Sequence, residues 1–320
     1  MKKILVTGAL GQIGSELVVA LRDKFGVENV IASDIKENPT HSIAVEGPYE
    51  ILDVTKLENI KQIVVKYNID TIFHLAALLS AVGEDMPLKC WNVNMNGTIN
   101  VLEVGVSQKL TRIIVPSSIA VWGKGVPKYD VPQESVLKPT SMYGITKVAG
   151  ELLCDYYVMK YGLDCRGLRY PGIISSETLP GGGTTDYAVD IFYGAVKNKY
   201  YDCFLKEDTE LPMMYMPDCI KATIDLAEAD YESLKHHSDF NVASMTFDPK
   251  TLAMEIRKHI PDFKIDYNPD SRQNIADSWP ASIDDKSARE EWGWNPAYNI
   301  SSMTKDMIDR LTQKHKEGLI

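Results

Sequence analysis

The chain has 320 residues, 44% hydrophobic and 24% charged, which fits a globular protein with one large α/β core plus a lobe and excludes a disordered chain. Its net charge of −10 argues against nucleic acid and anionic membranes, since both need clustered cations, and leaves a small uncharged or zwitterionic substrate open. Five scattered cysteines, Cys90, Cys154, Cys165, Cys203 and Cys219, include no Cys-x-x-Cys pair, so reduced buried thiols are expected rather than disulfides or a zinc site.

The opening stretch MKKILVTGAL meets a glycine-rich turn at Gly8, too soon for the apolar core of a signal peptide. No later apolar run approaches membrane length, so a cytosolic location is expected. KKILVTG reads as a strand, SELVVALRDKF as a helix with apolar residues at helical spacing, and NVIASD as a second strand. The alternation continues through YEILDV, LENIKQIVVKYN, DTIFHLAA, the long helical CWNVNMNGTINVLEVGVSQKL, RIIVPSS, SMYGITKVAGELLCDYYVMKYG and DCRGLRYP. Short apolar strands joined by repeated helical crossovers predict a doubly wound parallel sheet of the α/β class. Regularity weakens after Pro171, where GIISSETLPGGGTTDYA has the composition of a loop or lid, followed by the helical DIFYGAVKNK. MPDCIKATIDLAEAD and DFNVAS read as a helix and strand able to rejoin the main sheet, and the tail completes a smaller lobe.

VTGALGQIG sets Gly8, Gly11 and Gly14 three apart between the first strand and its helix. Glycines there permit a tight turn, a close approach of pyrophosphate to main-chain N–H groups, and close helix–strand packing. Asp34, twenty residues on, closes the second strand; its carboxylate can accept bonds from both ribose hydroxyls and would repel a 2′-phosphate, so NAD is favoured over NADP. Lys36 pulls the other way and reads as a solvated loop lysine.

The G-x-x-G-x-x-G spacing, HLAA at 74–77, NMNGTIN at 94–100, PSSIAVWG at 116–123 and Tyr143-x-x-x-Lys147 occur in the order found in the extended short-chain dehydrogenase/reductase family, which the chain resembles from Met1 to about Pro171. The resemblance implies a Rossmann-type doubly wound parallel sheet with a smaller C-terminal substrate-binding lobe. Residues 1–172 would form the NAD-binding domain, rejoined by 217–245, with 173–216 and 246–320 as the lobe. It implies that Tyr143 is the base that removes a hydroxyl proton while carbon gives up a hydride. A free phenol titrates near 10, so Lys147 and the cationic nicotinamide would favour phenolate by opposite charge, and Lys147 would also hold the nicotinamide ribose. Ser118 would donate to the developing charge, with Ser117 the lesser candidate. Gln12 and Ile13 of the glycine turn, Asp53 and Val54 at the adenine, Leu75, Ala76 and Ala77 along the phosphates and ribose, and Tyr170 are the remaining cofactor contacts implied. A packed strand end is an equal reading for the three apolar residues. Asn94 would bend or hydrate the long helix.

Sugar-nucleotide members of that family carry an asparagine soon after the sixth strand, whereas LRYPGIIS has Pro171 there, with no side-chain donor. LLSA at 78–81, TLPGGGTTDYAVDIFYGA at 178–195 and SWPASIDDKSAREEWGW at 278–294 resemble instead the threonine 3-dehydrogenases of the short-chain type, over essentially the whole chain. That resemblance implies oxidation of the C3 hydroxyl of L-threonine to 2-amino-3-oxobutyrate with NAD. Ser80 and Thr184 or Thr185 would contact the amino acid's ammonium or carboxylate, Trp279 would border the pocket, and Gly181 to Gly183 would hinge a lid. No metal is expected, because phenolate and hydroxyl do the polarising. His74 reads as a core or near-cofactor histidine, and His236 and His237 as a solvated loop pair. The apolar helices around 90–108 and 146–161 imply, by the same resemblance, a homodimer through a four-helix bundle, although ELLCDYYVMKYG could be covered within one chain.

Overall fold

A computed structural model describes residues 1–36, 42–179 and 181–320; Pro180, inside the expected lid segment, lies outside the described residues. The first unit is β1 (Ile4–Thr7), α1 (Gln12–Phe25) and β2 (Val30–Asp34). After α2 (Ser42–Val45) come β3 (Tyr49–Ile51), α3 (Leu57–Tyr67) and β4 (Thr71–His74). The short helices α4 (Ser80–Asp85) and α5 (Pro87–Trp91) lead into α6 (Gly97–Ser107) and β5 (Arg112–Ile114). Then follow β6 (Ser117–Ser118), α7 (Met142–Tyr161) and β7 (Cys165–Arg166). Six strands pair in the order β3-β2-β1-β4-β5-β7, all parallel, which is the Rossmann arrangement. Alternation along β1 decides the two faces: Ile4 and Val6 join Leu17, Val18 and Leu21 of α1, while Leu5 faces Ile60, Val101 and Leu102 of α3 and α6. The strand order reverses between β1 and β4, and a crevice opens at their C-terminal ends.

The rest of the chain forms smaller sheets. The strand β8 (Leu168–Tyr170) lies between β6 and β12 (Phe240–Asn241). In DFNVAS, Phe240 pairs with Leu168 and its N–H bonds the carbonyl of Gly167, the one residue between β7 and β8, so this strand runs beside the continuation of β7. Next come β9 (Gly172–Ile174), α8 (Tyr187–Asn198), β10 (Tyr200–Cys203), β11 (Leu211–Tyr215) and α9 (Met216–Glu228). The tail adds β13 (Met245–Phe247), α10 (Pro249–Arg257), β14 (Lys264–Tyr267), α11 (Arg272–Ala276), α12 (Lys286–Trp292) and α13 (Ile300–Lys316). Tyr187, Phe192, Met213, Phe263, Met303 and Met307 share a separate core there.

Two local features position the site. The expected long helix over 90–110 is interrupted by a π-helical turn at Asn92–Asn96. Within it the Asn94 amide accepts from Leu78 N at 2.8 Å and donates to Leu78 O and Thr146 Oγ1 at 3.1 Å, so Asn94 ties that turn to the loop after β4. The helix α7 begins where Ser141 Oγ accepts from Gly144 N at 3.1 Å and ends at Gly162 in the left-handed region, φ 65°.

The fully buried Arg166 joins β7 to the end of α9. Its guanidinium donates to both Asp164 oxygens and to the carbonyls of Leu226 (2.6 Å) and Ala229 (2.8 Å). Removing it leaves the Ala229 carbonyl without its donor and Leu226 O with only the longer bond from Ala229 N at 3.3 Å. The substitution Arg166→Met is expected to cost about 2–4 kcal/mol of unfolding free energy in a urea titration, and a loss below about 1 kcal/mol would refute that role.

Candidate active site

The turn after β1 is shaped by contacts that only glycine allows. Gly8 has φ +68°, and a Cβ there would lie 2.6 Å from Ala76 N; a Cβ on Gly14 would lie 2.3 Å from Gly8 O. This brings the N-terminus of α1 against the end of β4. Asp34 anchors the same turn: Oδ2 accepts from Leu10 N at 3.1 Å and Oδ1 from Ile35 N at 2.8 Å. Gln12 Nε2 is a buried donor with no partner among the described residues. A cradle too tight for any Cβ, free main-chain N–H groups at a helix N-terminus and an unpartnered amide beside them fit the pyrophosphate of a dinucleotide.

A cavity of about 230 Å³ opens beyond this turn. Gly8, Gly11, Gln12, Ile13 and Gly14 line one side, with His74, Leu75 and Ala77 from the end of β4. Ser117, Ser118, Tyr143, Lys147 and Tyr170 form the back, and Ser80, Thr184, Thr185 and Trp279 close the far end. Chain segments far apart in sequence thus meet around one space, as the crossovers of a parallel sheet require.

Tyr143 and Lys147 lie one turn apart on α7, with Nζ 5.5 Å from the phenol ring centroid. Lys147 Nζ donates to Pro116 O at 2.7 Å. Both side chains are enclosed by protein except where they meet the cavity. Desolvation pushes the phenol up to about 12, offset in part by a hydrogen bond from Ser118, and pushes the Lys147 ammonium down to about 8, opposed by the negative charge of Glu151. Without cofactor, then, enclosure outweighs opposite charge at Tyr143, the reverse of the balance expected from the Tyr–Lys spacing. The two serines are distinguished by their partners. Ser117 gives its hydroxyl to Glu151, while Ser118 accepts from Ala120 N at 3.2 Å and faces Tyr143. His74 bonds Thr7 Oγ1 at 2.8 Å; burial, reinforced by Lys147, drives it down to about 3, so it is a neutral side chain behind the cofactor turn.

At the far end Thr184 is fully buried and its Oγ1 has no partner among the described residues. Sequence reasoning passed over Asp186, which lines the same wall. Its Oδ2 accepts from Gly182 N (3.0 Å) and Gly183 N (2.6 Å), and burial pushes its carboxyl up to about 6. The signal was present in GGGTTD: an acid that can cap a glycine run next to it.

Other expected contacts lie off this cavity. Asp53 Oδ1 accepts from the Thr55 amide and hydroxyl, Val54 is buried against Gly97, and Ala76 lines a small chamber behind Lys147. His236 and His237 are not a solvated pair: His236 is half-buried and bonds Glu291 at 2.6 Å, and His237 stacks on Tyr231 with centroids 5.0 Å apart. Among the described residues no group of three or more His, Cys, Asp or Glu is placed to hold a metal ion, and no helix is long and apolar enough to cross a membrane.

The sequence profile of the NAD dependent epimerase/dehydratase family matches residues 4–243. Among solved structures, an L-threonine dehydrogenase from Clostridium difficile is 52% identical, with a TM-score of 0.96 and 98% of each chain covered. A monomeric L-threonine 3-dehydrogenase from a metagenome is 48% identical with a TM-score of 0.93, covering 97% of this chain and 99% of the other. A relative from Staphylococcus saprophyticus, described as an uncharacterized epimerase/dehydratase, is 50% identical over 99% of both chains. With a parallel sheet whose crevice carries a dinucleotide turn, the chain belongs to the NAD dependent epimerase/dehydratase family, the extended short-chain type, and is an NAD-dependent oxidoreductase of that family.

Proposed function

We propose that the protein oxidises the C3 hydroxyl of L-threonine to 2-amino-3-oxobutyrate. The observation that carries this reading is the cavity that joins Ser118, Tyr143 and Lys147 to a far wall with an unpartnered buried Thr184 hydroxyl, in a chain about half identical to L-threonine dehydrogenases over its length. The cavity, about 230 Å³, suits a compact polar substrate. NAD, when bound, supplies the hydride acceptor.

The chain's own residues would divide the work as follows. Gly8, Gly11, Gln12, Ile13 and Gly14 hold the pyrophosphate, Asp34 the adenosine ribose, and Asp53 and Val54 border the adenine, while Leu75, Ala76, Ala77 and Tyr170 flank the nicotinamide half. Tyr143 takes the C3 hydroxyl proton as the C3 hydride leaves, Ser118 donates to the same oxygen, and Lys147 steadies the phenolate and binds the nicotinamide ribose. Ser80, Thr184 and Thr185 hold the ammonium and carboxylate, and Trp279 covers the pocket, while Gly181 to Gly183 hinge the loop that Asp186 caps.

NADH should accumulate stoichiometrically with L-threonine consumed, whereas UDP-glucose should give no net NADH. Because Tyr143 is pushed up to about 12 in the free protein, it is protonated at neutral pH and the reactive form gains population as pH rises. kcat/KM for L-threonine at saturating NAD should therefore climb from about pH 6 to about pH 9. Tyr143→Phe should lower kcat at least ~100-fold while NAD affinity stays within about twofold. A variant with most of its rate would remove Tyr143 as the base.

The NAD preference is assigned to the Asp34 charge. Asp34→Asn keeps an acceptor for Leu10 N and removes the charge, so the ratio of NAD to NADP affinity should fall about tenfold; an unchanged ratio would clear Asp34 of that role.

A homodimer through a four-helix bundle of the helices around 90–108 and 146–161 is also proposed. It is supported by the exposed apolar side chains of Leu88, Trp91, Leu152, Tyr156 and Met159 on those helices. Sedimentation should give twice the chain mass, and a single-chain mass at micromolar concentration would make this protein like its monomeric relative.

A further inference from the structure

None of the five thiols takes part in the chemistry assigned to Tyr143, yet two of them meet behind the helix that carries it. Alternation along β7 sends its side chains to opposite faces: Arg166 reaches the end of α9, and Cys165 enters the core shared by β5, α6 and α7. There it meets Cys154 of α7. The Cys165 thiol is hydrogen-bonded to Cys154; burial above all, with that neighbour and the Asp164 and Asp155 carboxylates, holds it well above the usual thiol range. Both cysteines are free and buried.

The two differ in what can reach them. Lys147, Glu151 and Cys154 follow one another at i, i+4 and i+7 on α7, so one stripe of the helix carries all three, and all three line the small chamber of about 20 Å³ behind Lys147. Such a volume admits one molecule of about the size of water. Gly150 marks where the room lies: it is buried and lines the chamber, yet a Cβ built on it would meet nothing within 4 Å. Open space therefore rests directly against the inner face of α7. Lys147 is close enough for negative charge on Cys154 to stabilise its ammonium, and a cation within electrostatic reach is what makes a thiol nucleophilic. Cys165 does not line the chamber and stands behind Cys154.

We propose that Cys154 and Cys165 form an oxidisable dithiol, in which a hydroperoxide entering the chamber closes the pair to a disulfide that draws α7 toward β7 and slows turnover. The Cys154 sulfur attacks the peroxide: the O–O bond breaks as an S–O bond forms, and the thiol proton leaves on the departing oxygen as water. The Cys165 sulfur then attacks the resulting sulfenic acid. The S–S bond forms, the S–O bond breaks, and the Cys165 proton leaves with the hydroxyl as a second water. Two electrons pass from the thiols to the peroxide, and a dithiol reductant returns them. A disulfide holds its sulfurs about 2.05 Å apart, closer than hydrogen-bonded thiols. The pull falls on the stripe of α7 that carries Lys147 and, about three turns before Cys154, Tyr143.

The test is hydrogen peroxide treatment of the whole protein, followed by peptide mass mapping and assay with saturating NAD and L-threonine. A cross-linked peptide joining Cys154 to Cys165 should appear with a loss of two hydrogens, kcat should fall about tenfold as α7 shifts, and dithiothreitol should restore both. Cys154→Ala and Cys165→Ala should each keep kcat within about twofold of its untreated value under the same treatment. Absence of the cross-link, a cross-linked protein with unchanged kcat, or equally fast inactivation of Cys154→Ala would each overturn the proposal. Gly150→Ala leaves both thiols in place, favours the helix and fills the space beside them, so the cross-link should form about tenfold more slowly; an unchanged rate refutes entry through the chamber. If the parent makes no NADH from L-threonine, the functional reading fails by itself, and the dithiol is judged by the cross-link and by NAD affinity, which should weaken about threefold on oxidation as Lys147 is displaced. An unchanged affinity then counts against it.

Discussion

The site is organised around a cation held away from bulk water. Lys147 has to remain near Tyr143 with its only accessible surface inside the cavity, and an ammonium so placed needs compensation from groups that cannot drift. Pro116 O supplies one bond at 2.7 Å and Glu151, one helical turn on, supplies the charge. Glu151 in turn is a buried anion that Arg169 neutralises, and Arg169 is itself braced by Gln133 O at 3.0 Å and Asn241 Oδ1 at 3.2 Å. The position of a single amine thus depends on β6, β8 and β12, the three strands that pair beside α7. Losing Arg169 would strand two carboxylates at once, a larger penalty than losing any exposed ion pair in the chain.

The opposite wall is built on main-chain proximity rather than charge. Gly8 and Gly14 let α1 approach the end of β4. The same helix is then fastened to the lobe by two bonds, Ser15 Oγ with Thr178 Oγ1 at 3.0 Å and Glu16 accepting from Ser175, and Lys314 of α13 holds the same stretch by donating to Ser176 O at 2.8 Å. Those bonds fix the stretch from Ser175 to Thr178, which precedes Gly181 to Gly183 in the chain. Asp186, bonded to the amides of Gly182 and Gly183, holds the glycine run itself.

What was legible in the sequence was short in range. The strand, glycine turn and helix from Ile4 to Phe25 follow from neighbouring residues, and Tyr143 and Lys147 share a face because α7 imposes a fixed rotation per residue. Contacts across long separations were not legible. Nothing local to Phe240 names Leu168 as its partner, and nothing local to His236 announces Glu291, 55 residues away, as its own. The relative strength of desolvation and opposite charge at Tyr143 also escaped, because it is set by how much protein surrounds the phenol, a property of packing and not of spacing. Ser117 and Ser118 are adjacent and chemically alike, and only the approach of Glu151 separates their tasks.

A frame shared by epimerases and dehydrogenases can be told apart by what must leave it. An epimerase that removes a hydride and a proton returns both to the same substrate before release, so its base needs no contact with solvent and a sealed site serves it best. A dehydrogenase ends each cycle with a reduced cofactor and one proton to release, so its base must exchange with water at some point in every turnover. Here the helix that carries Tyr143 and Lys147 has a small polar chamber on one side and a wider cleft on the other, and a buried carboxylate, Glu151, borders both. The Arg169 guanidinium holds that carboxylate, so the face of α7 turned away from the cavity carries its own buried ion pair, which fixes the helix on which Tyr143 and Lys147 stand.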